Sequence, residues 1–230
     1  MSLAGQAWRS ECGIAYTLRH LPNQGAIFAR RAWLERILTG VEFWRRADGE
    51  PIRVLEVGAG TGMNLVALGG WLYDRWARRP SLLQRLHLVG TDLSHAAATV
   101  MREEAKGCPV LSVVEADGAT LPFPDRAFDL VLSCGFLIHV PPANIPAAVS
   151  ELRRVCRSHL LVCEYFAPTE EEVPWRGEPG MLWRRDYGGY FLNAGMRFLA
   201  SGFLWKPVTG ADNLTWWLFQ VRDGPRSRRA

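Results

Sequence analysis

The chain has 230 residues, of which 48% are hydrophobic and 22% charged, and its formal net charge is +4. This composition is ordinary for a folded globular protein and excludes disorder over most of the chain. No apolar stretch approaches the roughly 20 residues that span a bilayer, and the small positive excess lies partly in the C-terminal run RDGPRSRR. We therefore predict one domain over residues 1–230, with no membrane partner and no nucleic acid partner.

The five cysteines form no CxxC pair and no cluster with histidine at zinc-binding spacing. We expect most of them to be small buried hydrophobic residues and predict no metal site. The N-terminal residues lack a basic region followed by an apolar run, so secretion is not expected and a cytoplasmic location is predicted. The oligomeric state is open between a monomer and a homodimer.

In chain order, a helical cap comes first. Residues 3–46 favour two helices within a cap that spans residues 1–48, and GAIFARRAWLERIL is the clearer of the two. From residue 50 to 166, short apolar runs alternate with helical patterns, which is typical of a parallel sheet covered by helices on both faces. The predicted strands are residues 52–58, 86–92, 110–116, 128–134 and 159–166.

The last quarter of the chain has a different pattern. Residues 167–190 are rich in proline, glycine and charge, which predicts a long functional loop for substrate. Residues 191–223 predict a helix and a hairpin, in which FLWKPV and LTWWLFQV are strands joined by TGADN. The predicted α/β fold is thus a seven-stranded, mostly parallel sheet with a C-terminal antiparallel hairpin.

The stretch VLEVGAGTGMNL places a glycine-rich turn after the first strand. Gly58, Gly60 and Gly62 alternate, and Glu56 precedes them. A phosphate-binding loop needs lysine and then serine or threonine after its last glycine, whereas Met63 and Asn64 follow here, so ATP is disfavoured. The dinucleotide pattern GxGxxG puts its third glycine where Met63 stands, which disfavours NAD.

The pattern EVGAGTG resembles motif I of the class I S-adenosylmethionine-dependent methyltransferases, and residues 50–165 resemble that family throughout. The resemblance implies a Rossmann-like methyltransferase fold with S-adenosylmethionine as cofactor and S-adenosylhomocysteine as product. It implies that Glu56 orients the cofactor's amino group, that Asp92 binds the ribose hydroxyls, and that Asp117 binds the adenine amino group. The implied cofactor residues are Glu56, Gly58, Gly60, Gly62, Asn64, Asp92, Leu93, Asp117, Gly118 and Cys134.

The region after the fifth strand resembles the methylases associated with pseudaminic acid biosynthesis. Glu164 with Tyr165, the PWRG core at 174–177 and the RRD run at 184–186 carry this resemblance, although Trp175 stands where tyrosine is common. It implies N-methylation of a small cationic molecule with an amidine, guanidine or amine group. The predicted substrate-binding residues are Tyr16, Phe136, Tyr165, Trp175, Arg176 and Trp183.

The predicted catalytic residues are Glu164, His139 and Asp186. Glu164, Glu172 and Asp186 supply acid for a cation, and aromatic rings can stack on it. Several of these residues keep a second interpretation: His139 as a structural donor, Glu164 as the partner of an arginine, the tryptophans as core packing and Glu172 as part of a solvated run. The alternative functions are small-molecule O-methylation, RNA or protein methylation, and cofactor binding without turnover.

Overall fold

The computed structural model describes residues 3–47, 49–209 and 212–222, with the side chains of residues 3 and 4 excepted. The centre of the predicted TGADN turn and the basic run from residue 223 lie outside the described residues. Across the part that is described, no helix is long and apolar enough to cross a membrane.

A seven-stranded sheet forms the centre of the molecule. Its spatial order is β3-β2-β1-β4-β5-β9-β8, and the five strands from β3 to β5 are parallel. β9 is antiparallel to both β5 and β8, which confirms the predicted C-terminal hairpin at the edge. The strands are β1 Ile52–Val57, β2 Leu86–Asp92, β3 Leu111–Glu115, β4 Phe128–Cys134, β5 Cys156–Glu164, β8 Arg197–Leu204 and β9 Leu214–Gln220.

Helices cover both faces of this sheet. Residues of α3, α4 and α6 pack with one side of β1, and residues of α7 and α8 pack with the other side. Ser94 caps α6 by accepting from the amide of Ala97, as a helix N-cap does. The helices are α1 Leu3–Trp8, α2 Glu11–Arg19, α3 Gln24–Leu38, α4 Met63–Arg75, α5 Pro80–Leu83, α6 His95–Lys106, α7 Ile145–Val155, α8 Tyr187–Asn193 and α9 Lys206–Thr209.

The prediction of two helices over residues 3–46 was wrong in number and extent. Three helices form, because the backbone is extended at Ser10 and at Asn23 and so interrupts the helical run. The side chain of Asn23 caps α3 by accepting from the amide of Ala26. The last helix ends at Leu38, where Gly40 follows with a φ of 88°. The apolar residues after it enter the core as irregular chain.

Two predictions near the C-terminus also need correction. Residues 167–190 are not a plain loop, because β6 Glu171–Glu172 pairs with β7 Trp183–Arg184 and α8 begins at Tyr187. The run FLWKPV is not all strand: β8 ends at Leu204 and a helical turn follows. Pro207 explains the change, since proline has no amide hydrogen for a strand ladder.

The sheet order places a crevice at the carboxyl end of β1. The chain runs outward from β1 to β2 and β3, and then returns to the opposite side of β1 with β4 and β5. Open α/β sheets bind ligands where the strand order reverses in this way. The glycine turn and the residues after β4 therefore border the same crevice.

Candidate active site

A cavity of about 440 Å³ fills this crevice. Its wall combines the glycine turn, the ends of β2 and β4, the first two helices of the N-terminal cap together with α3, and the turn of the β6–β7 hairpin. Among the described residues there is no group of three or more histidine, cysteine, aspartate and glutamate side chains that could hold a metal ion.

The glycine turn is shaped partly by a neighbouring aromatic ring. A Cβ added to Gly58, whose φ is 69°, would lie 2.6 Å from the Cβ of Phe136, and one on Gly118 would lie 2.3 Å from the Phe136 Cζ atom. Both glycines are therefore needed for Phe136 to pack between the two turns. Phe136 lines the cavity beside the predicted cofactor residues rather than at a distance from them.

Asp92 at the end of β2 is held by the backbone. Its Oδ2 accepts from the amide of Gly60 at 2.8 Å and its Oδ1 accepts from the amide of Ser94 at 2.8 Å. Burial raises the pKa of Asp92, and the backbone hydrogen bonds oppose that rise. The carboxylate lines the cavity in a fixed orientation, which suits a ligand with hydroxyl donors.

Asp117 after β3 is arranged in a similar way. Its Oδ1 accepts from the amide of Ala119 at 2.9 Å, which forms a short side-chain turn. The residue lines the cavity together with Leu93, Gly118 and Cys134. Gly62 is different, because it is the N-cap residue before α4, with a φ of 82°, and does not line the cavity.

Glu56 and Asn64 present unpaired acceptors to the cavity. The Glu56 Oε1 atom accepts from the Asn64 Nδ2 atom at 2.6 Å, whereas Glu56 Oε2 and Asn64 Oδ1 are buried and have no hydrogen bond partner among the described residues. Burial raises the pKa of Glu56 to about 8, although Asn64 and Arg30 oppose the rise. Two orphaned acceptors side by side fit a ligand that brings several N–H donors, such as an ammonium group.

His139 follows β4 in a short 3-10 helix, Leu137–His139, and lines the cavity. Its Nδ1 lies 2.7 Å from the carbonyl oxygen of Met181. Because a carbonyl only accepts, Nδ1 carries the proton, and the neutral ring keeps a lone pair on Nε2. Burial lowers the pKa of His139 to about 4, against the effect of the Met181 hydrogen bond. The imidazole is therefore a neutral acceptor at pH 7.

Three aromatic side chains surround His139, and we call Trp8, Tyr16 and Trp175 the aromatic wall. Trp8 is central: its ring centroid lies 4.7 Å from that of His139, 5.2 Å from Tyr16 and 5.6 Å from Trp175. All three line the cavity. We call the part of the cavity between the aromatic wall and His139 the acceptor half.

Arg176 and Tyr165 complete the predicted substrate residues that line the cavity. Arg176 has a φ of 55° and is followed by Gly177 with a φ of 88°. The paired amides and carbonyls of Trp175 and Glu178 close the turn between them. Positive φ is unusual for arginine, and such strain is found at functional sites.

Glu164 does not reach the cavity, which corrects its predicted contact with substrate. Its carboxylate is fully buried and accepts from the Ser133 hydroxyl at 2.8 Å and from the backbone amides of Phe136, Leu137 and Ile138 at 3.1–3.2 Å. Burial raises the pKa of Glu164 to about 7 despite these bonds. Among the described residues no arginine pairs with Glu164 either, since the Ser133 hydroxyl and the loop amides satisfy its oxygens. Its role is to hold the turn that carries His139.

Three other predicted residues also lie away from the cavity lining. Asp186 is exposed and caps α8 by accepting from the amide of Gly189, so a catalytic role is not supported. Glu172 accepts from the amide of Gly180 at the surface. Trp183 is buried beneath the guanidinium of Arg185, 5.2 Å from its ring centroid. Local hydrogen bonding and packing thus account for all three.

The sequence reasoning missed several residues of the lining. Trp8, Arg30 and Trp33 belong to the cap, and Asn144 lies after β4. Their spacing carries no motif, because cap helices reach the cavity only through tertiary packing. Tyr16 was the one cap residue that was predicted, as a ring that could stack on a planar cation.

These features define the fold as that of the class I methyltransferases. The cavity at the carboxyl ends of the parallel strands is suited to S-adenosylmethionine. Residues 55–162 match the family model described as a methyltransferase domain. This match and the fold together support an S-adenosylmethionine-dependent methyltransferase, and they are consistent with S-adenosylmethionine as the cofactor. No curated protein matches the chain in sequence.

Solved structures share the fold at low sequence identity. A methyltransferase from Aquifex aeolicus is 16% identical with a TM-score of 0.59, over 91% of this chain and 98% of that chain. Magnesium protoporphyrin IX methyltransferase from Synechocystis PCC 6803, with bound S-adenosylhomocysteine, is 13% identical with a TM-score of 0.64, over 96% and 99%. The 1,6-didemethyltoxoflavin-N1-methyltransferase from Burkholderia thailandensis is 15% identical with a TM-score of 0.62, over 87% and 80%.

The residues of the cavity fit the cofactor. Glu56 and Asn64 carry the unpaired acceptors that its ammonium group would need, and Asp92 carries fixed oxygens that would suit its ribose hydroxyls. Asp117 and Leu93 line the same cavity, where its adenine would fit. When bound, the cofactor supplies a methyl group on a sulfonium centre that is already electrophilic. The chain then has to align the acceptor, exclude water and receive a proton.

We predict that cofactor binding releases a proton from Glu56. The free site has a Glu56 pKa of about 8, so the group is mostly protonated at pH 7. An ammonium beside it favours the carboxylate and lowers that pKa. Binding at pH 7 should therefore release close to one proton, and release should fade above about pH 9.

Calorimetry of S-adenosylhomocysteine binding in buffers with different ionisation enthalpies measures this release. Glu56→Gln should bind more weakly and release no proton at pH 7. Equal release from the variant and the unmodified protein would place the titrating group elsewhere.

Proposed function

We propose that this enzyme transfers the methyl group to a nitrogen of a small planar molecule that binds in its neutral form. The acceptor half supports this proposal: three aromatic side chains stand beside a neutral imidazole with a free lone pair on Nε2. Flat aromatic walls favour a flat ligand, which they contact over its whole face. The hydrogen bond that commits Nδ1 of His139 to Met181 carries the proposal.

The basicity of His139 favours nitrogen over oxygen. A group with a pKa of about 4 is too weak to remove a hydroxyl proton before attack. A neutral nitrogen attacks with its own lone pair, and its N–H becomes strongly acidic only as the new C–N bond gives it positive charge. A weak base that is always unprotonated suits that late proton transfer.

The charges around the aromatic wall favour a neutral acceptor over a permanent cation. The guanidinium groups of Arg19 and Arg176 lie 5.8 and 5.6 Å from the ring centroid of Trp175, where a cationic ligand would bind. Asp212 lines the cavity but is paired with Lys206 at 2.9 Å. Glu164, Glu172 and Asp186 are engaged elsewhere, so the predicted acids for a cation are not in place.

The amidine acceptor implied by the resemblance to the pseudaminic acid methylases fits this proposal only in its neutral form, because a protonated amidine is a planar cation without a nitrogen lone pair. Trp175 and Arg176 of the PWRG core line the cavity, which is consistent with that resemblance. One protein of similar fold is named as an N1-methyltransferase, and another is named for magnesium protoporphyrin IX. The fold therefore serves several acceptors, and the identity of the acceptor depends on the side chains of the acceptor half.

A panel of acceptors with labelled S-adenosylmethionine tests the proposal. It should contain neutral nitrogen heterocycles, a benzamidine-type cation, alkylamines and phenols of similar size. We expect transfer to the neutral heterocycles, with at least tenfold lower kcat/KM for the cation. Transfer confined to phenols would establish the O-methyltransferase alternative, and transfer confined to the cation or the alkylamines would contradict a neutral planar acceptor.

A further inference from the structure

One helix of the cap, α3, contributes a polar pair to the cavity. Arg30 and Trp33 are three residues apart, so both side chains lie on one side of the helix. Both line the cavity that also contains Glu56 and Asn64. Neither residue belongs to the glycine turn or to a strand end.

Trp33 has a buried donor without a partner. The residue is 4% exposed, and its indole Nε1 forms no hydrogen bond within the described part of the chain. A buried N–H that stays unpaired costs stability, so an acceptor on a ligand in this cavity would stabilise the Trp33 indole. The partner it lacks is an acceptor.

Arg30 supplies a positive charge beside this donor. Its Nη1 donates to the carbonyl of Ala26 in its own helix at 3.2 Å, and it forms no ion pair with any described residue. The guanidinium is close enough to Glu56 to act on it electrostatically. A guanidinium has five N–H donors, so it keeps several for a carboxylate.

The two sets of groups are complementary in kind. Among the described residues, Glu56 Oε2 and Asn64 Oδ1 lack donors and Trp33 Nε1 lacks an acceptor. The Arg30 guanidinium donates to the Ala26 carbonyl and keeps further N–H groups for an anion. An ammonium and a carboxylate on one carbon atom satisfy both sets, and that arrangement is the head group of an α-amino acid.

We propose that Arg30 and Trp33 bind the carboxylate of the cofactor's methionine moiety, while Glu56 and Asn64 bind its ammonium group. The cap helix is then part of the cofactor site and not only a cover for the sheet. This inference rests on the binding of S-adenosylmethionine and does not depend on the methyl acceptor. It is therefore tested separately from the proposed nitrogen methylation.

Two ligands separate this role from a structural one. S-adenosylhomocysteine carries the amino acid head group, and 5′-methylthioadenosine lacks it but keeps the adenosine part. Calorimetry of both ligands should be run on Arg30→Gln, Trp33→Phe and the control Arg31→Gln. Arg31 neighbours Arg30 on α3, pairs with Asp74 at the surface and does not line the cavity.

We expect Arg30→Gln to weaken S-adenosylhomocysteine binding about 10- to 100-fold and Trp33→Phe about tenfold, as loss of a hydrogen bond to a charged group does. Binding of 5′-methylthioadenosine should change less than about threefold, and Arg31→Gln should change neither ligand. Equal losses for both ligands would show that the residues only shape the cap. Unchanged S-adenosylhomocysteine affinity in both variants would also overturn the proposal.

Discussion

Replacing His139 with glutamine is expected to lower kcat about 10²- to 10⁴-fold, which is the range for loss of a general base. Glutamine can still donate to the Met181 carbonyl, so the turn after β4 should keep its shape. The lone pair of Nε2 is lost, and the methylated nitrogen then has no acceptor for its proton. Affinity for S-adenosylhomocysteine should stay within about threefold of that of the unmodified enzyme.

The pH profile distinguishes this base from an ordinary histidine. Because the pKa of His139 is about 4, it stays neutral, and kcat should not decline between pH 8 and about pH 5. A base with the usual pKa would lose activity near pH 6.5. His159→Gln is the matched control, since that histidine is buried on β5, contacts Ser158 and does not line the cavity. Similar losses of kcat in the two variants would remove His139 from the mechanism.

Replacing Glu164 with alanine is expected to cost at least about 3 kcal/mol of unfolding free energy. The change leaves the Ser133 hydroxyl and the amides of Phe136, Leu137 and Ile138 without their acceptor. Each buried donor left unpaired costs about 1–3 kcal/mol. Activity should fall as well, because the same turn positions His139.

Denaturant unfolding measures this loss, with Glu115→Ala as the control. Glu115 also ends a strand, but it pairs with Arg102 and His95 at the surface, so its removal should cost less than about 1 kcal/mol. Equal destabilisation by the two substitutions would contradict the assigned role of Glu164.

The pH dependence of stability gives a second measurement on Glu164. Its folded-state pKa is raised to about 7 from an ordinary value of 4.5. A raised pKa contributes stability that is fully present below the unfolded value and is lost as pH rises through the folded value. Unfolding free energy should therefore decline between about pH 4.5 and pH 7, and Glu164→Gln should reduce that slope. An unchanged slope would show that other groups cause the decline.

The part of the cavity that contains Glu56, Asp92 and Asp117 was largely predictable, because its residues lie at strand ends. Parallel strands bring their carboxyl ends to one edge, so Glu56, Asp92 and Asp117 meet whatever the rest of the chain does. Nine of the ten predicted cofactor residues line the cavity, and Gly62 is instead the N-cap residue before α4. Local sequence is enough where backbone geometry alone brings residues together.

The acceptor half was predictable only in part. A buried acidic residue at the end of β5 indicated that Glu164 has a partner, and the partners are backbone amides of the loop after β4, which no side-chain pattern records. Asp186 and Trp183 follow the same loop in sequence, but the β6–β7 pairing and α8 place them away from the cavity.

The sequence by itself determined the alternation of strands and helices, the glycine turn and the acids for the cofactor, because each depends on neighbours along the chain. Only the tertiary structure decided that Trp8, Arg30 and Trp33 reach the cavity, and that Glu164 supports His139 rather than the substrate. Those positions depend on how the cap packs against the sheet and on which buried groups find hydrogen bond partners. Both are set by contacts between residues far apart in the chain.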